Sequence, residues 1–409
     1  MVPSVLGSIS LGYQFLWNRL RQPAAVQLFV ESDASTPVDG RHLLSTLREF
    51  WPEQAPPLLL SVRTPILFLD VLHHGGAGDP WVLVPQDWLG DPLVIDHVQA
   101  AHARGMELLW HGAPGERPAA ELAIYFKRLI IALTPEEALR GVLAQRRQAH
   151  LPDPTPDPDS PVQAGEIYEG VASQALAQHC LDQQGAWGLA GWPAEDVLHR
   201  YRGQAVRPSR RAVGHLIRAI ETDAALDTIE QALYDEPVLV YQFLRYINAP
   251  ERWLRHEASS VRHGLMLLGY AALKNWLVEQ LPGASGDPDL HPLRTAMVTR
   301  AHLMERLLDP GEEPALRHDI YLCGLLSQLP HLLHEPPENL LEHLPVSERI
   351  HNALRHGTGP YAPYLAIARA LESPDTRATH LLCDSHEMSL DDVNRALLRT
   401  LCTLPGHAR

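Results

Sequence analysis

Along the first half of the chain, short unbroken apolar runs alternate with stretches whose apolar residues recur every three or four positions. The runs occupy residues 7–16, Val26–Val30, Leu58–Val62, Trp81–Val84, Glu107–Trp110 and Tyr125–Ile131, and their length and branched or aromatic content predict buried strands. Between them, Val94, Ile95, Val98, Ala101 and the aliphatic stem of Arg104 fall on one helical stripe, which Gly105 terminates. The segment after residue 165 continues as strand, helix, strand as far as Trp192. Such repetition predicts a parallel sheet. About eight strand-then-helix units in roughly 195 residues predict a compact (βα) barrel whose functional face lies at the C-terminal ends of its strands.

The periodicity breaks at residues 150–165, HLPDPTPDPDSPVQAG, where prolines alternate with aspartates. This reads as an extended loop inserted in the first domain, because the strand pattern resumes beyond it. Past residue 203 the strand signal stops. Val213, Leu216, Ile217 and Ile220 form one helical stripe, and further stripes broken by Pro or Gly follow. Ser347 and Ser389 are placed to cap late helices, the second with Asp392 as a capping-box partner. The chain is therefore expected to hold a barrel over residues 1–197 and an all-α domain over 198–409.

Charge narrows the functional classes. Lys and Arg total 34 against 49 Asp and Glu, a net charge of −15, the wrong sign for a surface that grips a phosphate backbone. General nucleic-acid binding is disfavoured. Cys180, Cys323, Cys383 and Cys402 form no C-x-x-C pair, so neither a disulfide framework nor a zinc ribbon is expected. No basic leader precedes the first apolar stretch and no run approaches a membrane span of about 18 to 20 residues. The expectation is a soluble cytoplasmic protein with no membrane partner.

Two sets of residues carry family resemblances. Pro237, then Leu244-Arg245-Tyr246-Ile247-Asn248, then Ser259-Ser260-Val261, then Leu267-Leu268-Gly269 resemble, in that order, the HDOD domain, an all-helical relative of HD phosphohydrolases. The likeness covers most of residues 205–400. The His-Asp metal pair it implies falls at Ser327-Gln328, which is not a ligand pair, while His318-Asp319 reads as a cap or solvated helix start. The opening LGYQFLWN, residues 11–18, resembles the G-Y-E-A-L-x-R start of EAL domains. Those modified (βα) barrels hydrolyse cyclic di-GMP with two divalent metals held by carboxylates and an Asn at strand ends. On this resemblance the ligand positions fall at Gln14, Ser61, Val84, His111, Gly112, Leu129 and Ala172, with Lys127 and Glu169 retained. Lys127 and Glu169 alone cannot hold two divalent ions, so the resemblance implies no catalytic residues, no metal and no cofactor.

Other candidates have ordinary readings beside functional ones. Arg245 is either a functional member of the L-R-Y-I-N run or half of a structural ion pair, and Asn248 reads as a helix cap. Arg207, Arg210 and Arg211, with Arg200 and Arg202 upstream, form a basic patch for a phosphate or an acidic partner, or a helix start capped by Ser209. Trp187 and Trp192 either pack the domain junction or stack a guanine base. Cys323, His331 and His334 invite a metal less than they suggest surface histidines on a Pro-bounded helix. The sequence thus predicts an EAL-like barrel joined to an HDOD domain, a non-enzymatic signalling or scaffolding protein in bacterial regulation that contacts other signalling proteins and leaves a homodimer open. The alternative is a cyclic di-GMP receptor that binds without hydrolysis. A third reading is a phosphohydrolase remodelled around Glu169, Lys127 and His111.

Overall fold

The computed structural model describes residues 4–32, 38–148, 157–204, 206–249, 258, 260–308, 313–342 and 344–404. The expected loop at 150–165 lies outside the described residues as far as 156. The chain divides into two compact units, Met1–Asp196 with Arg369–Arg409, and Val197–Ala368. Residues 369–409, expected in the all-α domain, therefore group with the barrel.

The first unit is built on β1 (Ile9–Trp17), β2 (Pro23–Ser32), α1 (Gly40–Phe50), β3 (Leu58–Val62), α2 (Pro65–His74), β4 (Trp81–Pro85), α3 (Pro92–Ala103), β5 (Leu108–Gly112), α4 (Ala120–Ala123), β6 (Arg128–Ala132), α5 (Pro135–Gln148), β7 (Ile167–Glu169), α6 (Gln174–Gln178) and β8 (Gly188–Ala190). The strands close into an eight-stranded barrel in chain order. Six of its eight pairings are parallel, but β1 runs antiparallel to both β2 and β8. That corrects the expected all-parallel sheet. The reason is local: a hairpin turn joins β1 to β2, with Asn18 Oδ1 accepting from the Leu20 and Gln22 amides and Arg21 in the left-handed region at φ 58°. A link this short cannot make a parallel crossover.

Leu16, Leu59, Leu83, Leu109, Ile130 and Ile167 fill the barrel interior, each from a strand whose alternate residues face outward. Aromatic rings close the end at which the parallel strands begin. Trp187 packs on Trp81 at 5.9 Å, with the Arg128 guanidinium over Trp187 and the Lys127 ammonium over Trp81. α19 (Arg377–Ser385) and α20 (Leu390–Leu401), which follow the helical unit in sequence, pack on this first unit. Ser389 caps α20 as expected, accepting from the Asp392 amide, and the buried Asn394 donates to the carbonyls of Leu6 and Ile9.

The second unit is helical among its described residues, apart from one isolated bridge, Ser209 to Ser285. Its helices are α8 (Arg210–Glu221), α9 (Leu226–Tyr234), α10 (Pro237–Ile247), α11 (Val261–Leu268), α12 (Tyr270–Gln280), α13 (His291–Arg306), α14 (Pro314–Leu326), α15 (Leu329–Leu333), α16 (Pro337–Glu342) and α17 (Glu348–His351), while α7 (Ala194–His199) and α18 (Ala362–Leu371) span the boundaries. Ser209 and Ser347 cap α8 and α17 through the Ala212 and Ile350 amides, as the sequence predicts. Among the described residues, no helix is long and apolar enough to cross a membrane.

Candidate functional site

The barrel mouth is set by alternation. Two residues beyond the interior layer, on the same strand faces, stand Gln27 on β2, Ser61 on β3, Pro85 on β4, His111 on β5, Ala132 on β6 and Glu169 on β7. On the reversed β1 the equivalent residue is Gln14, which pairs directly with Gln27. Gln14 Nε2 donates to Gln27 Oε1 at 2.8 Å, and Gln27 Nε2 donates to Ser61 Oγ at 2.7 Å. Across the mouth, His111 Nε2 lies 3.2 Å from Glu169 Oε2, both side chains partly exposed. The chain can leave β7 at this angle because Gly170 adopts φ +78°, where a side chain would be strained.

One side of the mouth is covered. Gly12 and Phe29, then Ser10 and Glu31, are the next pairs outward on the β1–β2 ribbon. The segment between α18 and α19 lies against this face. Thr376 Oγ1 donates to Glu31 Oε2 at 2.7 Å, and a Cβ on Gly12 would collide with the Ser373 carbonyl oxygen. Gln27 and Ser61 are consequently only 1% and 7% exposed. The His111–Glu169 side stays open.

Five expected site positions move. Lys127 precedes β6 at the opposite end of the barrel, bonded to Glu107 at 2.7 Å, so it is not a mouth residue. Val84, Gly112 and Leu129 alternate with interior residues and face outward, which leaves Pro85, His111 and Ala132 at the mouth on those strands. Ala172 is exposed beyond the end of β7. Gln27 was missed because the opening motif was read on β1, whereas the two strands of the ribbon contribute equally.

Two divalent cations need several anionic oxygens. At the level of His111, the described residues offer one carboxylate, Glu169, while the amide and hydroxyl groups opposite are engaged with each other. The mouth does not fit a two-metal centre, and no step through metal is derived. The described residues gather three potential ligands only at Asp39, Asp70 and His74. There Asp39 caps α1, Asp70 accepts from the Gly40 amide and Arg41 approaches His74.

In the helical unit, the Ser327-Gln328 pair surrounds a cation of the protein's own. Buried Arg300 donates to Ser327 Oγ at 3.0 Å, and Gln328 turns its amide oxygen to the same guanidinium. Arg245 is exposed and lies over the ring of Tyr241 one turn back, so it is not a buried ion pair. Asn248 caps α10 and clasps Ala258 through both its backbone groups. Arg207, Arg210 and Arg211 are exposed at the start of α8, with Arg210 reaching the Ala284 carbonyl. Trp187 plugs the closed end of the barrel, and Trp192 meets Trp17 edge to face at 6.4 Å. His331 is exposed, His334 bonds the Leu198 carbonyl and Cys323 is buried, so no shared metal face forms.

No family model matches the chain. It is 25% identical over 170 residues, 42% of its length, to the cyclic di-GMP phosphodiesterase CdgJ of Vibrio cholerae, covering 39% of that protein. It is 27% identical over 138 residues, 33% of its length, to Bacillus subtilis YuxH, covering 34% of it. The matched stretches thus span somewhat over a third of each curated relative. Among solved structures, the response regulator MmoQ of Methylococcus capsulatus aligns with a TM-score of 0.38 at 15% identity, over 47% of this chain and 98% of that one. Klebsiella pneumoniae BlrP1, solved as a manganese and cyclic di-GMP complex, aligns with a TM-score of 0.29 at 11% identity, over 46% of this chain and 55% of that one. The likeness to CdgJ corrects the expectation of a non-enzyme, since a relative matched over 170 residues is a phosphodiesterase. The chain is similar to proteins of cyclic-dinucleotide signalling.

Proposed function

We propose that the protein works in cyclic-dinucleotide signalling and takes cyclic di-GMP at the open side of its barrel mouth. The observation that carries this reading is the His111–Glu169 pair, which meets over the end of β6 from the C-terminal ends of β5 and β7 in a closed barrel, in a chain similar to a cyclic di-GMP phosphodiesterase. An imidazole at this place donates to a phosphate oxygen, and the neighbouring carboxylate fixes its ring. The helical unit, with Met266 and Leu267 exposed side by side on α11, is the part suited to contact other signalling proteins.

The test is calorimetric titration of the full chain with cyclic di-GMP, with and without magnesium, assaying the same samples for cleavage. Saturable micromolar binding is expected, weakened about ten-fold or more by His111→Ala, with any cleavage lost in Glu169→Gln. Absence of binding, or binding indifferent to both substitutions, removes the proposal.

A further inference from the structure

The helical unit carries a pocket of about 650 Å³ that is open to solvent on one side, a volume that accommodates a small organic molecule. Leu316, Leu322 and Val346 give it apolar walls, and Arg262, His318 and Asp319 give it a polar end, beside the ring of Tyr234. The sign of that polar end is decided by pairing. Arg262 Nη1 already donates to Asp227 and to Glu230, each at 2.6 Å. Asp319 accepts from the hydroxyls of Ser347, at 2.6 Å, and Tyr361, at 3.0 Å, both on Oδ2; Arg349 in turn reaches the Tyr361 hydroxyl.

Behind Arg262 and His318, the Glu230 side chain is 7% exposed. Its Oε1 has no hydrogen-bond partner and lies 3.9 Å from His318 Nε2. Glu230 does not itself line the cavity, so its part is electrostatic: together with Asp227 it outweighs the single charge of Arg262 and leaves the Asp319 carboxylate to set the sign of this end. At the two helix starts beside this end, Ser260 and Ser347 accept from the His263 and Ile350 amides, so one amide of each start is already satisfied by its own cap.

We propose that this cavity binds a small organic cation, a protonated amine or amidine on an apolar body, with the charged head at the carboxylate end and the body against Leu316, Leu322 and Val346. The site belongs to the helical unit and does not depend on nucleotide binding by the barrel.

Benzamidine, benzoate and benzamide share one shape and differ in charge, so calorimetric titration of the full chain with all three reads the sign directly. Benzamidine is expected to bind saturably at millimolar concentration or below, and benzoate and benzamide about ten-fold more weakly or worse. Asp319→Asn should weaken benzamidine about ten-fold while keeping the acceptor for Ser347 and Tyr361, and Val346→Trp should abolish binding by filling the cavity. Equal binding of benzoate or benzamide overturns the proposal, as does no saturable benzamidine binding, or unchanged binding in a folded Val346→Trp protein. Should Asp319→Asn fail to fold, the contrast among the three probes still decides.

Discussion

His179 shows how one buried side chain sets a pH limit. It is fully buried, with Nε2 at 2.8 Å from Ser160 Oγ and Nδ1 at 2.7 Å from Gln183 Oε1. Burial pushes its imidazole below the ordinary value of 6.5, against the opposing pull of Gln183 and Asp157. The unfolded chain therefore binds a proton that the folded chain refuses, so stability falls as pH drops through 6.5. Urea unfolding at pH 7.5 and pH 5.5 should show a smaller loss on acidification in His179→Gln than in the parent. An equal loss in both would mean that other groups control the acid limit. At this scale the sequence was legible where chemistry is local. Ser209, Ser347 and Ser389 cap helices because a hydroxyl before an amphipathic stripe has one nearby use. It was illegible where one residue of register decides the face. Val84 and Pro85, or Gly112 and His111, exchange exterior for mouth with a slip that no apolar run records.

Among elements, the strands were readable because each is a continuous apolar run, and Leu58–Val62 appears with the limits the sequence predicts. The direction of β1 was not read, although the five residues between Trp17 and Pro23 already exclude a crossover. What no local pattern could supply is the covering of the β1–β2 ribbon by a segment some 360 positions away in the chain. Gly12 is the point of closest approach. In Gly12→Ala the new Cβ meets the Ser373 carbonyl oxygen, and one of the two must move. The expected result is a destabilisation of about 1–3 kcal/mol, with faster protease cleavage between residues 369 and 389. A variant as stable and as resistant as the parent would show that the two elements do not need this contact.

At the scale of the whole molecule, the barrel unit is assembled from segments that precede and follow the helical unit in sequence. Asn394 holds the carbonyls of Leu6 and Ile9 from a helix that follows the entire second unit. A fragment of residues 1–196 should consequently melt at lower temperature than the barrel in the full chain. Addition of a peptide spanning residues 369–404 should raise its melting point, and the same peptide with Asn394→Ala should do so less. A fragment indifferent to either peptide would make α19 and α20 accessory. The division at residue 369 was not legible for the same reason: α20 is as amphipathic as its neighbours in sequence, and an apolar stripe does not state which core receives it.

This arrangement has a consequence for synthesis. A ribosome releases Ile9 385 residues before Asn394, so the first strand waits until the whole helical unit has been synthesised before the carbonyls of Leu6 and Ile9 meet their partner. A premature stop, or a single cut anywhere in the helical unit, strips the barrel of covalent hold on its last helices. Quality control of one unit is thereby quality control of both.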